Sequence, residues 1–326
     1  MTAETDFLRV EDLATHFPVA GGRLRAVDGV SFVQARGETL GIVGESGCGK
    51  STLARSILQL LRPTSGRVLF EGTNLVGLPA RRMRALRRHL QIVFQDPMAS
   101  LDPRFSVGRI LEEPLVVHGF GPRPARRARV AEMLEKVGLD ATAAARYPHE
   151  FSGGQRQRIG IARAIMLEPK LVVLDEPVSA LDVSIQAQIL NLLADLRDSL
   201  GLSYLFISHD LAVVRAICDR VAVMYLGRIV EEAPTETLFE APAHPYTEAL
   251  LAAVPRPEPG GRRRRIAVTG EPPDPAHPPP GCPFHPRCPK AMPECRIRAP
   301  VLHRLADGRR VACHLHEPAS AGTSGR

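Results

Sequence analysis

The chain has 326 residues, more than the roughly 100–200 of one ordinary domain, so a large domain with an additional segment is expected. With 44% hydrophobic and 24% charged residues, its composition excludes wholesale disorder and fibrous classes. The formal net charge of +7 is compatible with nucleic-acid or lipid contacts but does not require them. No apolar run reaches the roughly 18 residues of a membrane-spanning helix and no signal-peptide layout is present, which predicts a cytoplasmic location.

Strand-like apolar runs alternate with longer helical patterns from Phe7 to about residue 254. This alternation predicts an α/β fold with helices packed on a sheet. Three early segments alternate in polarity and predict an antiparallel β subdomain: Phe7–Leu13, Ala26–Val33 and Arg67–Phe70. Three continuous apolar runs predict strands buried on both faces of a parallel sheet: Leu40–Val43, Leu171–Leu174 and Tyr204–Ile207.

An inserted α-helical subdomain is expected over about residues 97–166, because helical patterns occur there at Ala125–Val137 and Gly154–Met166. After residue 254 the sequence changes to PRPEPGGRRRR and EPPDPAHPPPG, too rich in Pro and Gly for a helix or a central strand. A domain over 1–255 and a Cys- and Pro-rich C-terminal extension over 256–326 are therefore predicted. We interpret Arg262–Arg265 as a solvated charge run, with lipid or partner contact as the alternative.

A phosphate-binding loop is predicted at GESGCGKS, which matches G-x-x-x-x-G-K-[ST] after a buried strand and before the helical run Ser51–Leu61. Glycines let successive N–H groups curl around phosphates, and the helix N-terminus adds positive charge. Lys50 is predicted to reach the outer phosphates and Ser51 to ligate Mg²⁺. The candidate nucleotide-binding residues are Gly44, Glu45, Ser46, Gly47, Cys48, Gly49, Lys50, Ser51 and Thr52, with Cys48 interpreted as a small filler.

Two carboxylates end the predicted strand in LVVLDE, at the sheet edge where nucleotide folds present acidic groups to a metal. Asp175 is predicted to hold Mg²⁺, and Glu176 to polarise the attacking water as a general base. An apolar strand ending in DE is a weak pattern alone. It becomes specific together with the phosphate loop.

Further motifs accompany these two, in the order VFQDP with Gln95, FSGGQRQR, LVVLDEP, SALD and ISHD. The whole series resembles the ATP-binding cassette (ABC) ATPases over about residues 7–254, since no other phosphate-loop class shares SGGQ just upstream of the acidic strand. The resemblance implies a P-loop NTPase core that binds and hydrolyses ATP with Mg²⁺. It also implies a two-chain enzyme, because each SGGQ loop contacts the nucleotide of the opposite subunit through Ser152, Gly153, Gly154 and Gln155.

The resemblance implies roles for four further residues. Gln95 would sense Mg²⁺ and the attacking water, and Asp182 would lie at the dimer seam. His209 would steady the γ-phosphate and Glu176; a lone His after an apolar strand is more often structural, but its place in ISHD favours the catalytic interpretation. Phe17 is the candidate for stacking on adenine, although an aromatic near an early strand usually belongs to the core.

The C-terminal part extends the resemblance through HPYTEALLAAVPRP, GCPFHPRCP and ACH. These runs resemble the ATPase subunits of oligopeptide and dipeptide importers, whose relatives handle nickel and glutathione. The resemblance implies a peripheral location on the cytoplasmic face of the membrane. It also implies two transmembrane permease subunits, a sister ATPase or second copy, and an extracytoplasmic peptide-binding protein.

The motifs leave two alternatives to peptide import. Uptake of nickel or glutathione is an alternative, because the cargo pocket lies in other polypeptides. A soluble ABC ATPase acting on nucleic acid is less favoured, because such proteins usually carry two cassettes in one chain or a long coiled coil. We therefore predict no nucleic-acid partner.

Four of the six cysteines lie near the C-terminus: Cys282, Cys288, Cys295 and Cys313. Four thiolates can hold an iron–sulfur cluster or Zn²⁺, and the spacing fits neither common zinc ribbons nor ferredoxin runs. The importer resemblance implies a four-iron four-sulfur cluster. We interpret it as structural, because an ATPase that changes no oxidation state has no electron to move, with redox sensing as the alternative. Zn²⁺, with His285 or His314 as additional ligands, is the second interpretation, and free or disulfide-linked thiols are the third.

Overall fold

The structure, a computed structural model, describes residues 7–253 and 270–317. The predicted boundary between 1–255 and 256–326 and the Arg262–Arg265 run lie outside these residues, so that domain division stays a prediction. The described strands are β1 (Leu8–Val19), β2 (Gly22–Gln34), β3 (Thr39–Val43), β4 (Ser65–Phe70), β5 (Thr73–Asn74), β6 (Leu90–Val93), β7 (Leu171–Asp175), β8 (Ser203–Ser208), β9 (Arg220–Tyr225), β10 (Arg228–Pro234), β11 (His303–Arg304) and β12 (Arg310–Val311). The described α-helices are α1 (Lys50–Ile57), α2 (Ala80–Arg87), α3 (Pro97–Ser100), α4 (Val107–Val117), α5 (Arg123–Lys136), α6 (Gly153–Ile165), α7 (Val183–Leu200), α8 (Leu211–Ile217), α9 (Thr235–Glu240) and α10 (Pro245–Ala252).

A four-stranded antiparallel sheet forms near the amino terminus in the order β2-β1-β4-β5. It confirms the antiparallel subdomain predicted from the alternating segments. The register of β1 against β2 shifts three times between Val10 and His16. Such bulges bend and twist a strand, and they let the long β1–β2 hairpin curve over its core.

The second sheet has eight strands in the order β11-β12-β10-β9-β3-β8-β7-β6. The five strands from β9 to β6 run parallel, and β10, β12 and β11 extend one edge antiparallel. Every residue of β3, β7 and β8 is buried, as expected for strands covered on both faces. The three buried strands predicted from apolar runs are thereby confirmed.

Two hydrophobic cores lie on opposite faces of this sheet. Val172 and Leu174 of β7 enter the core formed with α4 to α8, whereas Leu171 and Val173 enter the core shared with α1 and the antiparallel sheet. This two-residue alternation follows from the pleat of a β-strand. The sheet is therefore the middle layer of the fold, and the loops lie at the ends of its strands.

Helices α3 to α6 occupy residues 97–165, and α5 and α6 confirm the two helical patterns predicted there. Their core includes Leu111, Met133 and Ile159, all completely buried. Helix α4 was not predicted from the sequence, because its interior contains Pro114, a residue that usually ends a helix. Strands β6, β9 and β10 were not predicted either. Of these, β6 is only four residues long.

The described part of the C-terminal extension joins the main sheet. β12 pairs with β10 at Glu231–Val311 and Glu232–Arg310, and β11 pairs with β12. Cys282 N–H donates to Cys295 O at 2.8 Å, which closes a loop within the extension. Among the described residues, no helix combines the length and apolar character needed to cross a membrane.

Candidate nucleotide site at the sheet edge

The predicted site residues lie at the carboxyl ends of four neighbouring parallel strands. The phosphate loop follows β3, and His209 follows the neighbouring strand β8. Asp175 and Glu176 lie at the end of β7, and Gln95 follows β6 at the edge of the sheet. Carboxyl ends of parallel strands meet at one edge, which is where open α/β sheets bind ligands. The fold therefore brings the phosphate, metal and catalytic candidates to one place.

The phosphate loop connects β3 to α1, and two of its glycines are required by space. A Cβ at Gly44 would lie 2.2 Å from Met224 O, and one at Gly49 would lie 1.9 Å from Ala26 O. Gly49 also has a φ of 106°, which disfavours other residues. Because β2 and β9 press on the loop, only glycine leaves room for its backbone at these positions.

The other loop residues differ in exposure. Ser46 and Gly47 are exposed, Thr52 is half-buried in the first turn of α1, and Cys48 is buried. Burial raises the pKa of the Cys48 thiol, which disfavours the reactive thiolate. This environment agrees with the interpretation of Cys48 as a small filler.

The charged and hydroxyl groups of the loop point inward. Lys50 is 5% exposed, and its Nζ donates to the carbonyls of Gly44 at 2.8 Å and Glu45 at 3.0 Å. Ser51 Oγ donates to Asp175 Oδ1 at 2.7 Å. Burial raises the pKa of Asp175, and the bond from Ser51 opposes that shift. Two predicted Mg²⁺ ligands are thus in direct contact.

Glu176 begins a sharp turn after β7. Its φ of 50° is left-handed, which costs a non-glycine residue about 1–3 kcal/mol. Its N–H donates to Ile207 O at 3.0 Å, which fixes the turn against β8. Gln95 Nε2 donates to Glu176 Oε2 at 3.0 Å, and His209 Nδ1 lies 3.2 Å from the same oxygen. The structure therefore brings the three predicted catalytic residues together.

The SGGQ residues lie at the N-terminus of α6. Ser152 Oγ accepts from the N–H of Gln155 at 3.3 Å, and Gln155 Oε1 accepts from the N–H of Ser152 at 3.0 Å. A Cβ at Gly154 would lie 2.6 Å from Ile185 Cγ2, so a larger residue here would require the Ile185 side chain on α7 to move. Gly153, in the same turn, is half-buried. Across the described chain, no hydrogen bond or ion pair joins residues 152–155 to the phosphate loop.

Asp182 and Phe17 lie apart from the catalytic residues. Asp182 is exposed at the start of α7, where its side chain makes no capping hydrogen bond. Phe17 is half-buried in the β1–β2 hairpin opposite Leu24. Their proposed roles at the dimer seam and on adenine stay predictions.

Contacts from the C-terminal part of the chain to Glu45 were not predicted from the sequence. Arg287 in the extension binds the carboxylate of Glu45 in the phosphate loop, and Tyr246 Oη accepts from the Glu45 N–H at 2.9 Å. The HPY and CPFHPRCP runs contain these residues, but no spacing rule connects them to a loop more than 200 positions away.

The four cysteines of the extension lie near one another as free thiols. Burial, followed by neighbouring cysteines, raises the pKa of Cys282 and Cys313 to about 11, and burial also raises that of Cys288. No three of the four Sγ atoms lie within 4.8 Å of one another in this described segment. Cys282, Cys295 and Cys313 are buried, and Cys288 is half-buried.

The histidines considered as zinc ligands have other partners. His285 Nδ1 lies 2.9 Å from Cys282 O, and His314 Nε2 lies 2.8 Å from Arg298 O. Glu294, His314 and Glu317 form a compact group of metal-ligand type. However, the Arg298 guanidinium already binds all three, at 2.6 Å for Glu294 and 3.2 Å for His314. This group is therefore an ion-pair network.

Comparison with known proteins identifies the family. The ABC transporter family model matches residues 27–179, and the model of the oligopeptide/dipeptide transporter C-terminal region matches residues 230–295. The chain is 54% identical to a probable peptide ABC transporter ATP-binding protein of Sinorhizobium fredii, over 96% of this chain and 91% of that protein. The chain belongs to the ABC transporter ATPases. The resemblance inferred from the motifs is confirmed.

Other similar ABC ATPases are named for transport. A dipeptide transport ATP-binding protein of Haemophilus influenzae is 53% identical, over 95% of this chain and 96% of its own. An oligopeptide transport ATP-binding protein of Bacillus subtilis is 50% identical, over 97% of this chain and 100% of its own. These relatives span nearly the whole chain, including the C-terminal extension.

Solved ABC ATPases share the fold. A cassette solved as a dimer in a post-hydrolysis state with ADP and phosphate has a TM-score of 0.65 and 28% identity, covering 70% of this chain and 98% of its own. A cassette of an ABC transporter complex from Clostridium perfringens has a TM-score of 0.65 and 32% identity, covering 73% of this chain and 92% of its own. The chain is therefore an ATPase with the α/β fold and mixed sheets of this family.

Proposed function

We propose that this ABC ATPase powers the import of oligopeptides or dipeptides across a cell membrane. The observation that carries the proposal is the match of residues 230–295 to the oligopeptide/dipeptide transporter C-terminal region. The peptide-transport names of the relatives from three bacteria support it. The cargo itself would bind to other subunits, so this chain contributes the energy of ATP hydrolysis.

Hydrolysis in this proposal uses the residues gathered at the sheet edge. The backbone N–H groups of the loop and Lys50 bind the phosphates of ATP. The Glu176 carboxylate accepts a proton from the attacking water. Gln95 and His209 both contact Glu176 Oε2, so they orient that carboxylate toward its substrate.

The residues present fit a bound Mg²⁺. Ser51 Oγ and Asp175 Oδ1 are oxygen donors 2.7 Å apart, and Mg²⁺ prefers oxygen ligands. Gln95 is the third proposed ligand. When bound, Mg²⁺ supplies positive charge that neutralises the phosphates during transfer. Ser51 and Asp175 would then exchange their mutual hydrogen bond for contacts to the ion.

Two cassettes are needed in this proposal. Ser152 and Gln155 are exposed and Gly153 and Gly154 are half-buried, and across the described residues none of the four makes a polar contact with the phosphate loop of its own chain. We infer that Ser152 and Gly154 face the nucleotide of a second cassette, either another copy or a sister subunit, with Asp182 at the seam. Two membrane permease subunits and an extracytoplasmic peptide-binding protein complete the importer, which places this chain on the cytoplasmic face.

The test is reconstitution of the chain with its proposed permease subunits in lipid vesicles loaded with ATP and Mg²⁺, with labelled dipeptides or tetrapeptides and the binding protein added outside. We expect peptide uptake that requires ATP, together with ATP hydrolysis stimulated by the loaded binding protein. Glu176→Gln provides the matched control, because it should bind ATP without uptake. Uptake of nickel or glutathione in place of peptide would reassign the cargo. Stimulation by nucleic acid alone would refute the importer role.

We also propose that Cys282, Cys288, Cys295 and Cys313 hold a four-iron four-sulfur cluster. Four buried or half-buried cysteine sulfurs are a donor set for such a cluster. Zn²⁺ is the alternative occupant of the same four sulfurs, and metal analysis distinguishes the two. When bound, the cluster would cross-link the extension.

The cluster is tested by anaerobic purification of the full chain, followed by iron, sulfide and zinc analysis and absorbance near 400 nm. We expect roughly four irons per chain and a broad brown band. Cys295→Ser should lose most of this iron, whereas Cys218→Ala should retain it, because the buried Cys218 sulfur packs against Gly41 of β3. One zinc per chain, or no metal, would refute the cluster.

A further inference from the structure

In the described part of the C-terminal extension, Arg287 binds Glu45 of the phosphate loop. Arg287 Nη1 donates to Glu45 Oε2 at 2.8 Å, and Arg287 Nη2 donates to Glu45 Oε1 at 2.9 Å. This two-bond arrangement is the strongest geometry available to an arginine and a carboxylate. The Arg287 side chain is only 7% exposed, so water screens this ion pair less than it screens a surface pair.

An aromatic cluster fixes the position of Arg287. The rings of Tyr225, Tyr246 and Phe284 pack with centroids 4.6, 5.3 and 5.4 Å apart. All three side chains are almost completely buried. The Arg287 guanidinium lies 5.9 Å from the centre of the Tyr225 ring. Since Phe284 and Arg287 share one turn of the extension, packing of Phe284 aims the guanidinium at the loop.

Glu45 has all three of its polar groups occupied. Its N–H donates to Tyr246 Oη, its carbonyl accepts from Lys50 Nζ, and its carboxylate binds Arg287. The Lys50 contact comes from the loop itself, as does a bond from the Cys48 N–H to the same carbonyl at 3.3 Å. Tyr246 and Arg287 both lie in the C-terminal part of the chain, which therefore holds the loop from outside.

We propose that Arg287 is a positioning residue for ATP, acting through Glu45 on the phosphate loop. It contributes in two ways. It holds Glu45 and the adjoining loop backbone in the shape that presents N–H groups to phosphate, which lowers the ordering cost of binding. It also neutralises the Glu45 carboxylate, which would otherwise repel the phosphates from within the loop.

This inference concerns ATP binding by the chain itself. It depends neither on the proposed cargo nor on the metal held by the cysteines. Because Arg287 touches Glu45 and not the reacting atoms, its loss should weaken ATP binding while leaving the rate of the bound state nearly unchanged.

The experiment compares four variants of the full chain: Arg287→Met, Glu45→Gln, the double variant and Lys290→Met. Lys290 is the matched control, because it joins the extension to α10 through Glu248 at 2.7 Å without touching the loop. ATP affinity is measured by titration with a fluorescent ATP analogue, and KM and kcat by ATP hydrolysis. Hydrogen exchange of the peptide over residues 44–51 reports the order of the loop, and melting temperature reports folding.

Arg287→Met should weaken ATP binding and raise KM about 10-fold, with kcat within about twofold of wild type. Exchange over residues 44–51 should become faster in this variant, and Lys290→Met should leave both readouts unchanged. In the Glu45→Gln background, Arg287→Met should weaken binding by less than about threefold, because the partner is already lost.

Three results would overturn the proposal. They are ATP affinity of Arg287→Met within twofold of wild type, an equal loss in Lys290→Met, or effects of the two single variants that simply multiply in the double variant. If Arg287→Met fails to fold, Glu45→Gln decides the matter, since its side chain lies in a partly exposed loop. Unchanged affinity and loop exchange in Glu45→Gln would then refute the role of the pair.

Discussion

Gln95 Nε2 donates a hydrogen bond of 3.0 Å to Glu176 Oε2, and so links the residue beyond β6 to the residue beyond β7. Because β6 and β7 are adjacent parallel strands, small shifts of one relative to the other would change this contact. The bond fixes the direction of the carboxylate that is proposed to accept the proton of water. In the proposed mechanism, the geometry of these two strand ends would therefore affect the rate of hydrolysis.

Glu176→Gln should reduce ATP turnover at least about 100-fold while ATP binding persists, because the amide keeps the size of the side chain but accepts no proton. ATP should then accumulate in a two-chain complex. Turnover and size-exclusion chromatography with and without ATP are the measurements. A variant that retains a tenth or more of wild-type turnover would show that another group is the base.

His209→Ala should lower kcat about 10- to 100-fold with little change in ATP affinity, because His209 Nδ1 contacts Glu176 Oε2 rather than the loop. Steady-state hydrolysis gives both values. His277→Ala is the control, since His277 is exposed in the extension and contacts Asp274. Equal kcat in the two variants would contradict the proposed catalytic position of His209.

Gly49→Ala should lower the free energy of unfolding by about 1–3 kcal/mol more than Gly47→Ala does. Both glycines have positive φ, 106° and 78°, so both substitutions carry backbone strain. Only at Gly49 does the added Cβ meet another atom, Ala26 O at 1.9 Å. Denaturant unfolding without nucleotide measures the difference, and equal losses would show that the clash is relieved.

His244→Asn should reduce the pH dependence of stability. Burial lowers the pKa of His244 from 6.5 to about 3, with His316 adding to the shift. Above about pH 6.5 the ring is neutral in both states; below it only the unfolded chain takes up the proton, so stability falls between pH 6.5 and about 3. At pH 5 this amounts to about 2 kcal/mol.

Asn is a suitable replacement, because it can accept the Tyr246 N–H that His244 Nδ1 accepts at 3.0 Å. Denaturant unfolding at pH 7 and pH 5 gives the comparison. The raised pKa of the buried neighbour Glu231 acts in the opposite direction, but it is present in both proteins and cancels in their difference. An identical pH dependence in the two proteins would exclude a neutral buried His244.

The sequence predicted most of the nucleotide site because its motifs are local. The phosphate loop and the DE pair each follow a continuous apolar strand, and parallel strands bring their carboxyl ends together. Glu176 and His209 follow predicted buried strands and could therefore be placed at one edge from the sequence, whereas Gln95 follows β6, which was not predicted. Their shared contact at Glu176 Oε2 was not predictable, since it depends on the left-handed turn at Glu176.

Long-range pairing explains what the sequence did not predict. β12 is two residues long and has no apolar pattern of its own, yet it pairs with β10. Arg287 lies in a Pro-rich run that predicts only irregular structure, and its partner Glu45 follows a strand near the other end of the chain. Neither the β12–β10 pairing nor the Arg287–Glu45 ion pair produces a periodic pattern in the sequence, because each joins residues that are distant along the chain.

The pairing of β12 with β10 has a consequence for the order of assembly during translation. An unpaired edge strand exposes hydrogen-bonding groups that invite association with other chains, and β10 leaves the ribosome long before β12 is made. The nascent cassette therefore carries an open edge at β10 until β12 has been made. Arg287 is made shortly before β12, so its contact to the phosphate loop becomes possible in the same interval in which this edge can close.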